Sequence, residues 1–129
     1  MSTKIRAAGV KLKRAYEPPT ASDGRRILID RLWPRGVSKA KAAIDGWLKE
    51  IAPSTALRNW FGHDPARWQE FRKRYAAEVR GHPERLRELR RLASEGPVTL
   101  VYSARDEAHN DAVVLRAILL GRWPSPHTD

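Results

Sequence analysis

The sequence predicts an α/β fold, a small three-layer domain in which a mainly parallel sheet of about three strands is flanked by helices. Three short segments carry the apolar or alternating patterns of strands, and helical patterns separate the second from the third. A long helical segment between two strands of one sheet is typical of a crossover connection between parallel strands, and such crossovers are right-handed in nearly all cases. We expect residues 1–129 to form a single domain around one core, given this chain length.

The first strand is predicted over residues 8–14. There Val10 and Leu12 alternate with lysines, which is the period of a half-exposed strand and indicates an edge position in the sheet. The segment YEPPTASDG follows, and its prolines and Asp-Gly pair predict an irregular connection.

The stretch RILIDRLWPRG, residues 26–36, poses the main functional question. Its apolar run from Ile27 to Leu32 is typical of a more central strand. Pro34 ends that strand, because proline cannot donate to a ladder and holds the residue before it extended. Charged and rigid residues therefore follow the strand directly. Two explanations for these charged residues remain: they form the wall of a ligand pocket, or they only hold neighbouring segments together through structural contacts.

Helices are predicted after this turn. The first begins at Ser38 as N-cap, runs to Ile51 and is ended by Pro53. Its apolar face consists of Ala40, Ala43, Ile44, Trp47, Leu48 and Ile51. A short second helix is predicted with Ser54 or Thr55 as its cap and Gly62 as its stop.

Two longer helices and a third strand follow. Asp64 and Pro65 form a cap and first-turn proline, which is a strong start for a helix. The next helix begins near Pro83 and ends at Gly96. The buried stripes of these two helices are predicted to be Trp68, Phe71, Tyr75 and Val79, and then Leu86, Leu89 and Leu92. The segment PVTLVYSA is rich in β-branched and aromatic residues and predicts the third strand.

The last helix is predicted after the polar loop RDEAHN and ends at Gly121. Its apolar side consists of Val113, Val114, Ala117, Ile118 and Leu120. Residues 122–129 are expected to be a flexible tail.

Composition narrows the class of protein. The chain has no cysteine, which excludes thiol nucleophiles, thiolate metal sites and disulfides and fits a cytoplasmic protein. No apolar run approaches the roughly 20 residues that span a bilayer, so no membrane partner is expected. The net charge of +10 favours anionic partners. In RYAAEVRGHPERLRELRRLASE, however, arginine and glutamate alternate at helical spacing, as on a solvated helix face.

Three motifs, DRLWPRG, LKEIAPST and LVYSA, carry a resemblance to the YeaO-like family of small bacterial proteins, which belongs to a wider group of domains of unknown function. The resemblance covers nearly the whole chain. It implies an α/β fold, a bacterial cytoplasmic origin and parallel first and second strands, and it implies no established reaction. More distant relatives carry cysteines in the last strand and loop, so any thiol chemistry there does not carry over to this chain.

The carboxyl ends of the strands are the predicted binding site, because ligands of open α/β sheets bind in the crevice outside that edge. Arginine pairs bidentately with phosphate or carboxylate, and the amino end of the last helix is expected to offer free N–H groups there. A small anionic ligand is therefore the predicted partner. The predicted ligand-binding residues are Asp30, Arg31, Trp33, Arg35, Ser103, Arg105 and Asn110.

Roles within this cluster follow from residue chemistry. Asp30 is expected to orient Arg31 or Arg35 rather than to act as a general base, and Trp33 to stack on a base or sugar. Ser103 lacks a histidine and aspartate at a recognisable spacing, so no catalytic residue is identified. The histidines show no metal-ligand pattern and the glycines no phosphate loop, so no metal and no cofactor are expected.

The sequence leaves a choice of functions. The first is the binding, or slow transformation, of an anionic metabolite at the strand ends. The alternative is a nucleic-acid-associated protein, which needs a continuous basic stripe including Arg72, Arg80, Arg87 and Arg91. A protein-interaction module is the third, and it requires an exposed apolar patch. No pattern specifies the oligomeric state.

Overall fold

A four-stranded parallel sheet forms the centre of the protein. The computed structural model describes residues 5–122. The strands are β1 (Val10–Arg14), β2 (Arg25–Leu28), β3 (Gly46–Trp47) and β4 (Val98–Tyr102). Their order is β1-β4-β2-β3, and every neighbouring pair is parallel. The predicted α/β class, the edge position of β1 and the inner position of β2 are confirmed.

Five α-helices surround this sheet in the described part of the chain. They are α1 (Lys39–Ala42), α2 (Thr55–Phe61), α3 (Trp68–Arg80), α4 (Pro83–Glu95) and α5 (Asp111–Leu119). Short 3-10 helices lie at Ala7–Gly9, Ala21–Asp23, Lys49–Ile51 and Pro65–Arg67. The predicted tail lies outside the described residues, apart from Arg122.

Side-chain caps begin the helices where the sequence predicts them. Ser38, Ser54 and Asp64 accept hydrogen bonds from N–H groups two or three residues later, at 3.1, 3.1 and 3.0 Å respectively. Gly62 ends α2 with a left-handed φ of 53°. These boundaries are decided by neighbouring residues alone, because a cap satisfies the donors that a helix leaves unpaired at its start.

The helix predicted from Ser38 to Ile51 is wrong. Only one turn forms, and it ends because Ala43 adopts a left-handed conformation with φ 49°. The chain then pairs with β2: Asp45 N–H donates to the Arg26 carbonyl at 2.8 Å, and Leu48 N–H donates to the Leu28 carbonyl at 3.0 Å. The additional strand β3 results. Its ladder hydrogen bonds replace those that a continuous helix would have made.

Strand β2 is shorter than its apolar run. Regular pairing ends at Leu28, although Ile29 N–H still donates to the Val101 carbonyl at 3.1 Å. Leu32, predicted as part of the strand, is instead 57% exposed. The chain therefore leaves the sheet before Asp30, and the charged residues lie in a turn beyond the strand.

The core lies on both faces of the sheet. Helices α2 to α5 and the alternate strand side chains Ile27 and Ile29 form the larger cluster. Leu28 points to the other face, where it packs with Ala15 and Val101 under the partly buried rings of Trp33 and Trp47. The predicted stripe of α3 is buried, and Tyr75 donates its hydroxyl to the Ile51 carbonyl at 2.7 Å. Burial on both faces explains why every residue of β4 is buried.

A buried ion-pair network links β1 and β2 through Asp23, which lies two residues before β2. Asp23 is fully buried and accepts from Arg26 at 2.8 Å, Lys13 at 3.0 Å and the Thr20 hydroxyl at 2.8 Å. Burial alone would raise the pKa of Asp23, but the hydrogen bonds from Lys13, Thr20 and Arg26 outweigh it and hold that pKa well below the ordinary value. This network joins β1, the following 3-10 helix and β2.

The basic helices carry ion pairs within their own turns. Arg74 pairs with Glu70 at 3.0 Å on α3, and Arg91 pairs with Glu95 at 2.9 Å on α4. All four side chains are about half exposed. This is the solvated helix face that the alternating charges predict. None of the helices within residues 5–122 has both the length and the apolar character needed to cross a membrane.

Candidate functional site

A cavity of about 330 Å³ lies at the carboxyl ends of β2 and β4. Its volume is at the lower end of the roughly 300–1,000 Å³ typical of small-molecule sites. Six of the seven predicted site residues line it, and the seventh, Arg105, does not. Arg105 lies exposed in the loop before α5. The lining residues among the predicted set are Asp30, Arg31, Trp33, Arg35, Ser103 and Asn110.

Parallel pairing brings the first two walls together. Leu28 and Val101 are register partners, so Asp30 and Ser103, each two residues beyond that pair, meet at the same edge. The Asp30 carboxylate accepts from the Ser103 backbone N–H and from its hydroxyl, both at 2.8 Å and both through Oδ2. Tyr16, two residues after β1, is 47% exposed and also lines the cavity.

The predicted role of Asp30 as a partner of Arg31 or Arg35 is wrong. Both Ser103 bonds go to one carboxylate oxygen, and Asp111, whose pKa the Asp30 carboxylate helps to raise, lines the same cavity. Asp30 extends the hydrogen bonding of the sheet beyond the last residue of β2, because it accepts from the backbone N–H of Ser103, directly after β4. Within residues 5–122, Asp30 forms no ion pair with Arg31 or Arg35, and the Arg31 guanidinium binds the Pro53 and Ala52 carbonyls instead.

Asp111 is the main site residue that the sequence reasoning missed. It is the first residue of α5, partly buried, and it lines the cavity. Burial of its carboxyl, together with the charge and the hydrogen bond of Asp30, raises the pKa of Asp111 well above its ordinary value of 3.8. Asp111 thus holds its proton to higher pH than an isolated aspartate does. In the sequence, an aspartate at a helix start indicates only a favourable dipole interaction.

Three arginines supply the positive charge of the cavity. Arg31 donates from Nε to the Pro53 carbonyl and from Nη2 to the Ala52 carbonyl, both at 3.3 Å. Arg35 and Arg58 also line the cavity, and both are exposed. Within residues 5–122 their guanidinium groups form no ion pair and no hydrogen bond. Arg58 was missed because an arginine on a short helix is ordinarily a solvated surface residue.

Trp33 closes one wall and is held by its own contacts. Its indole N–H donates to the Val37 carbonyl at 2.7 Å, and its ring packs edge-on against Trp47 with the ring centres 5.5 Å apart. Trp47 in turn donates to the Asp30 carbonyl at 2.7 Å. The turn after β2 is therefore rigid, and the ring of Trp33 reaches the cavity as part of a packed aromatic pair.

The amino end of α5 offers less to a ligand than the sequence predicts. The side chain of Asn110 accepts from Val113 N–H at 3.1 Å, and the side chain of Asp111 accepts from Ala112 N–H at 2.9 Å. These two N–H groups are occupied, so the expectation of free donors is wrong for them. Asn110 also donates to the Asp106 carbonyl at 2.9 Å and is 3% exposed, which makes it a buried cap that fixes the loop.

The remaining walls are apolar or carry histidine. Phe61 and Phe71 line the cavity and stack with ring centres 4.3 Å apart. His63 and His109 also line it, and His109 lies 2.9 Å from Asp106 through Nδ1. That hydrogen bond lowers the pKa of Asp106. Among residues 5–122, no three histidine, aspartate or glutamate side chains are grouped so that they could hold a metal ion.

Comparison with known proteins gives one family and several relatives. Residues 9–128 match the family described as the inactive DUF488-N3 subclade. The chain is 45% identical over 106 residues to the uncharacterized protein YeaO of Escherichia coli (strain K12), which covers 82% of this chain and 92% of that protein. It is 40% identical over 118 residues to the uncharacterized protein Rv3073c of Mycobacterium tuberculosis (strain ATCC 25618 / H37Rv), covering 92% and 99% respectively.

A protein of Mycobacterium bovis, the uncharacterized protein Mb3100c, matches with the same identity and coverage as the tuberculosis protein. No solved structure matches the chain. The resemblance to the YeaO-like family predicted from the three motifs is confirmed.

Proposed function

This chain belongs to the inactive DUF488-N3 subclade, as a YeaO-like protein, and from that premise we propose that it binds a small ligand bearing a phosphate or carboxylate group in the cavity at the strand ends. The description of the subclade as inactive supports binding without chemical transformation. A cytoplasmic location is part of this proposal.

The observation that carries the proposal is the set of three guanidinium groups on one small cavity. Arg35 and Arg58 have donors that no carboxylate of residues 5–122 occupies, and Arg31 is positioned by two backbone carbonyls. Three positive charges line the cavity, against two carboxyl groups of which Asp111 keeps its proton to raised pH. Charge-assisted bonds from arginine to an oxyanion are the strongest contacts that this lining offers.

The apolar part of the lining supports a ligand with a carbon body rather than a bare oxyanion. Phe61 and Phe71 form one wall, and Leu32 is exposed at the cavity. A single exposed leucine is normal on a protein surface, but one adjoining a charged cavity can contact a bound molecule.

The test is ligand-induced thermal stabilisation followed by titration calorimetry. The probes are inorganic phosphate, small carboxylic acids and nucleoside monophosphates. Arg35→Ala and Arg58→Ala should each weaken binding of a stabilising probe at least tenfold, since a charge-assisted hydrogen bond contributes roughly 1.5–3 kcal/mol. Arg87→Ala is the matched control, because it removes an exposed arginine on α4 that does not line the cavity. The proposal fails if no probe binds, or if the control loses as much affinity.

Nucleic-acid association is the alternative. The contacts of the basic helices support it less well than the cavity supports anion binding. Of the predicted stripe, Arg91 pairs with Glu95. Phosphate contacts release counterions, so genuine binding weakens steeply as salt rises. We expect no binding of duplex or single strands at physiological salt. Salt-dependent binding that Arg87→Glu and Arg91→Glu abolish, with no effect of Arg35→Ala, would support the alternative instead.

A further inference from the structure

We propose that the ligand is an ampholyte, an apolar amino acid or a close analogue, whose ammonium group binds the Asp30 and Asp111 carboxyl groups while its anionic group binds the arginines. This inference rests on the proposed function, because it assigns a ligand class to the same cavity. It adds a role for the acidic pair, which a purely anionic ligand would leave without a partner.

The acidic pair is built into the cavity from two separate elements. Asp30 follows β2 and is anchored through Oδ2 by two bonds from Ser103, which leaves Oδ1 without a donor from Ser103. Asp111 comes from the first turn of α5, where Ala112 N–H binds its Oδ1. These donors occupy one oxygen of each carboxyl, so the second oxygens are where the two groups can share a proton or bind a donor of a ligand. Both residues line the cavity.

Neighbouring carboxyl groups repel each other unless a proton or another cation lies between them. An ammonium group carries three donors and a full positive charge, so it can replace the shared proton and bind both oxygens. A bound anion, in contrast, gains from the arginines and loses through repulsion by the same pair. The arrangement thus favours a ligand that carries both charges.

The order of charges within the cavity gives such a ligand one orientation. Arg35 and Arg58 are exposed, whereas Asp30 and Asp111 are partly buried; Arg31 is also partly buried, but its guanidinium already binds the Pro53 and Ala52 carbonyls. The anionic group of the ligand therefore lies at the mouth, and the ammonium group lies deeper. Phe61 and Phe71 provide an apolar wall for a hydrocarbon side chain. A volume of about 330 Å³ suits a molecule of amino-acid size.

The experiment compares matched probes that differ only in the amino group: free L-leucine against isocaproate, and free L-phenylalanine against hydrocinnamate. Dissociation constants are measured by calorimetry at neutral pH. We expect each amino acid to bind at least tenfold more tightly than its deaminated analogue. Asp111→Asn should reduce that ratio to near one, and Arg35→Ala should weaken both members of a pair by a similar factor.

The outcomes separate this inference from the proposed function. If the deaminated probes bind as tightly as the amino acids, anion binding stands and the ampholyte inference is overturned. If no anionic or ampholytic probe binds, the proposed function itself fails. Asp30→Asn provides the same test if Asp111→Asn does not fold, as judged by circular dichroism. A ratio unchanged in the folded variant also overturns the inference.

Discussion

The Asp30 carboxylate accepts two hydrogen bonds from Ser103, one from the backbone N–H and one from the hydroxyl, each 2.8 Å long. These bonds join the segment after β2 to the segment after β4. They lie beyond the last backbone hydrogen bond between the two strands, which Ile29 N–H donates to the Val101 carbonyl. They explain why a charged residue follows an apolar strand so closely. Asp30 is a structural link between the strands and at the same time part of the cavity wall.

Replacing Asp30 by alanine should destabilise the protein by about 1–3 kcal/mol, because the partly buried Ser103 N–H loses its acceptor. Asp30→Asn should have a smaller effect, since the amide oxygen can accept the same two bonds. Urea unfolding of both variants measures the difference. Equal losses in the two variants would show that the destabilisation does not come from these two hydrogen bonds.

The ion-pair network of Asp23 should make stability depend on pH in acid. Its pKa is lowered in the folded protein, so the stabilisation is complete above the ordinary value of 3.8 and is lost as pH falls below it. Asp23→Asn should cost about 3–5 kcal/mol at neutral pH, because it leaves the buried charge of Arg26 uncompensated. Urea unfolding over a pH series should then show a weaker acid dependence in the variant than in the parent. An identical dependence would contradict this assignment.

Asp111 should contribute a pH dependence of the opposite sign. Because its pKa is raised in the folded protein, the folded state binds more protons than the unfolded state above pH 3.8, and stability falls as pH rises through that window. Asp111→Asn cannot ionise and should remove this fall, so the variant gains relative to the parent as pH increases. The measurement is the difference in unfolding free energy between the two proteins across the pH series. A difference that stays constant would overturn the paired-carboxyl assignment.

Gly24 should tolerate no side chain. It adopts φ 63°, and a Cβ placed there would lie 2.1 Å from the Pro97 carbonyl oxygen. Gly24→Ala should therefore destabilise the protein by more than about 2 kcal/mol through backbone strain and the required shift of Pro97. Gly9→Ala is the control, since no atom lies within 4 Å of a Cβ there. Thermal unfolding of the pair checks the prediction, which fails if both midpoints shift equally.

The chemistry of neighbouring residues was enough to predict much of this protein. The strand at Val10–Arg14, the caps at Ser54 and Asp64 and the buried stripe of α3 depend on alternation, helical period and capping, which are local properties. The position of the cavity was also predictable, because parallel strands place their carboxyl ends at one edge. The same rule places Asp30 and Ser103 side by side, where they form their hydrogen bonds.

Tertiary structure alone decided the features that depend on distant pairing. Residues 46–47 lie within the amphipathic helical pattern that runs from Ser38 to Ile51. They nevertheless form a strand, because β2 offers them backbone partners. The meeting of Asp30 with Asp111, and of Arg58 with the same cavity, joins positions far apart in the chain. A local pattern describes the preference of one segment, whereas hydrogen bonding, burial and charge pairing are settled by whichever segment lies opposite in the folded chain.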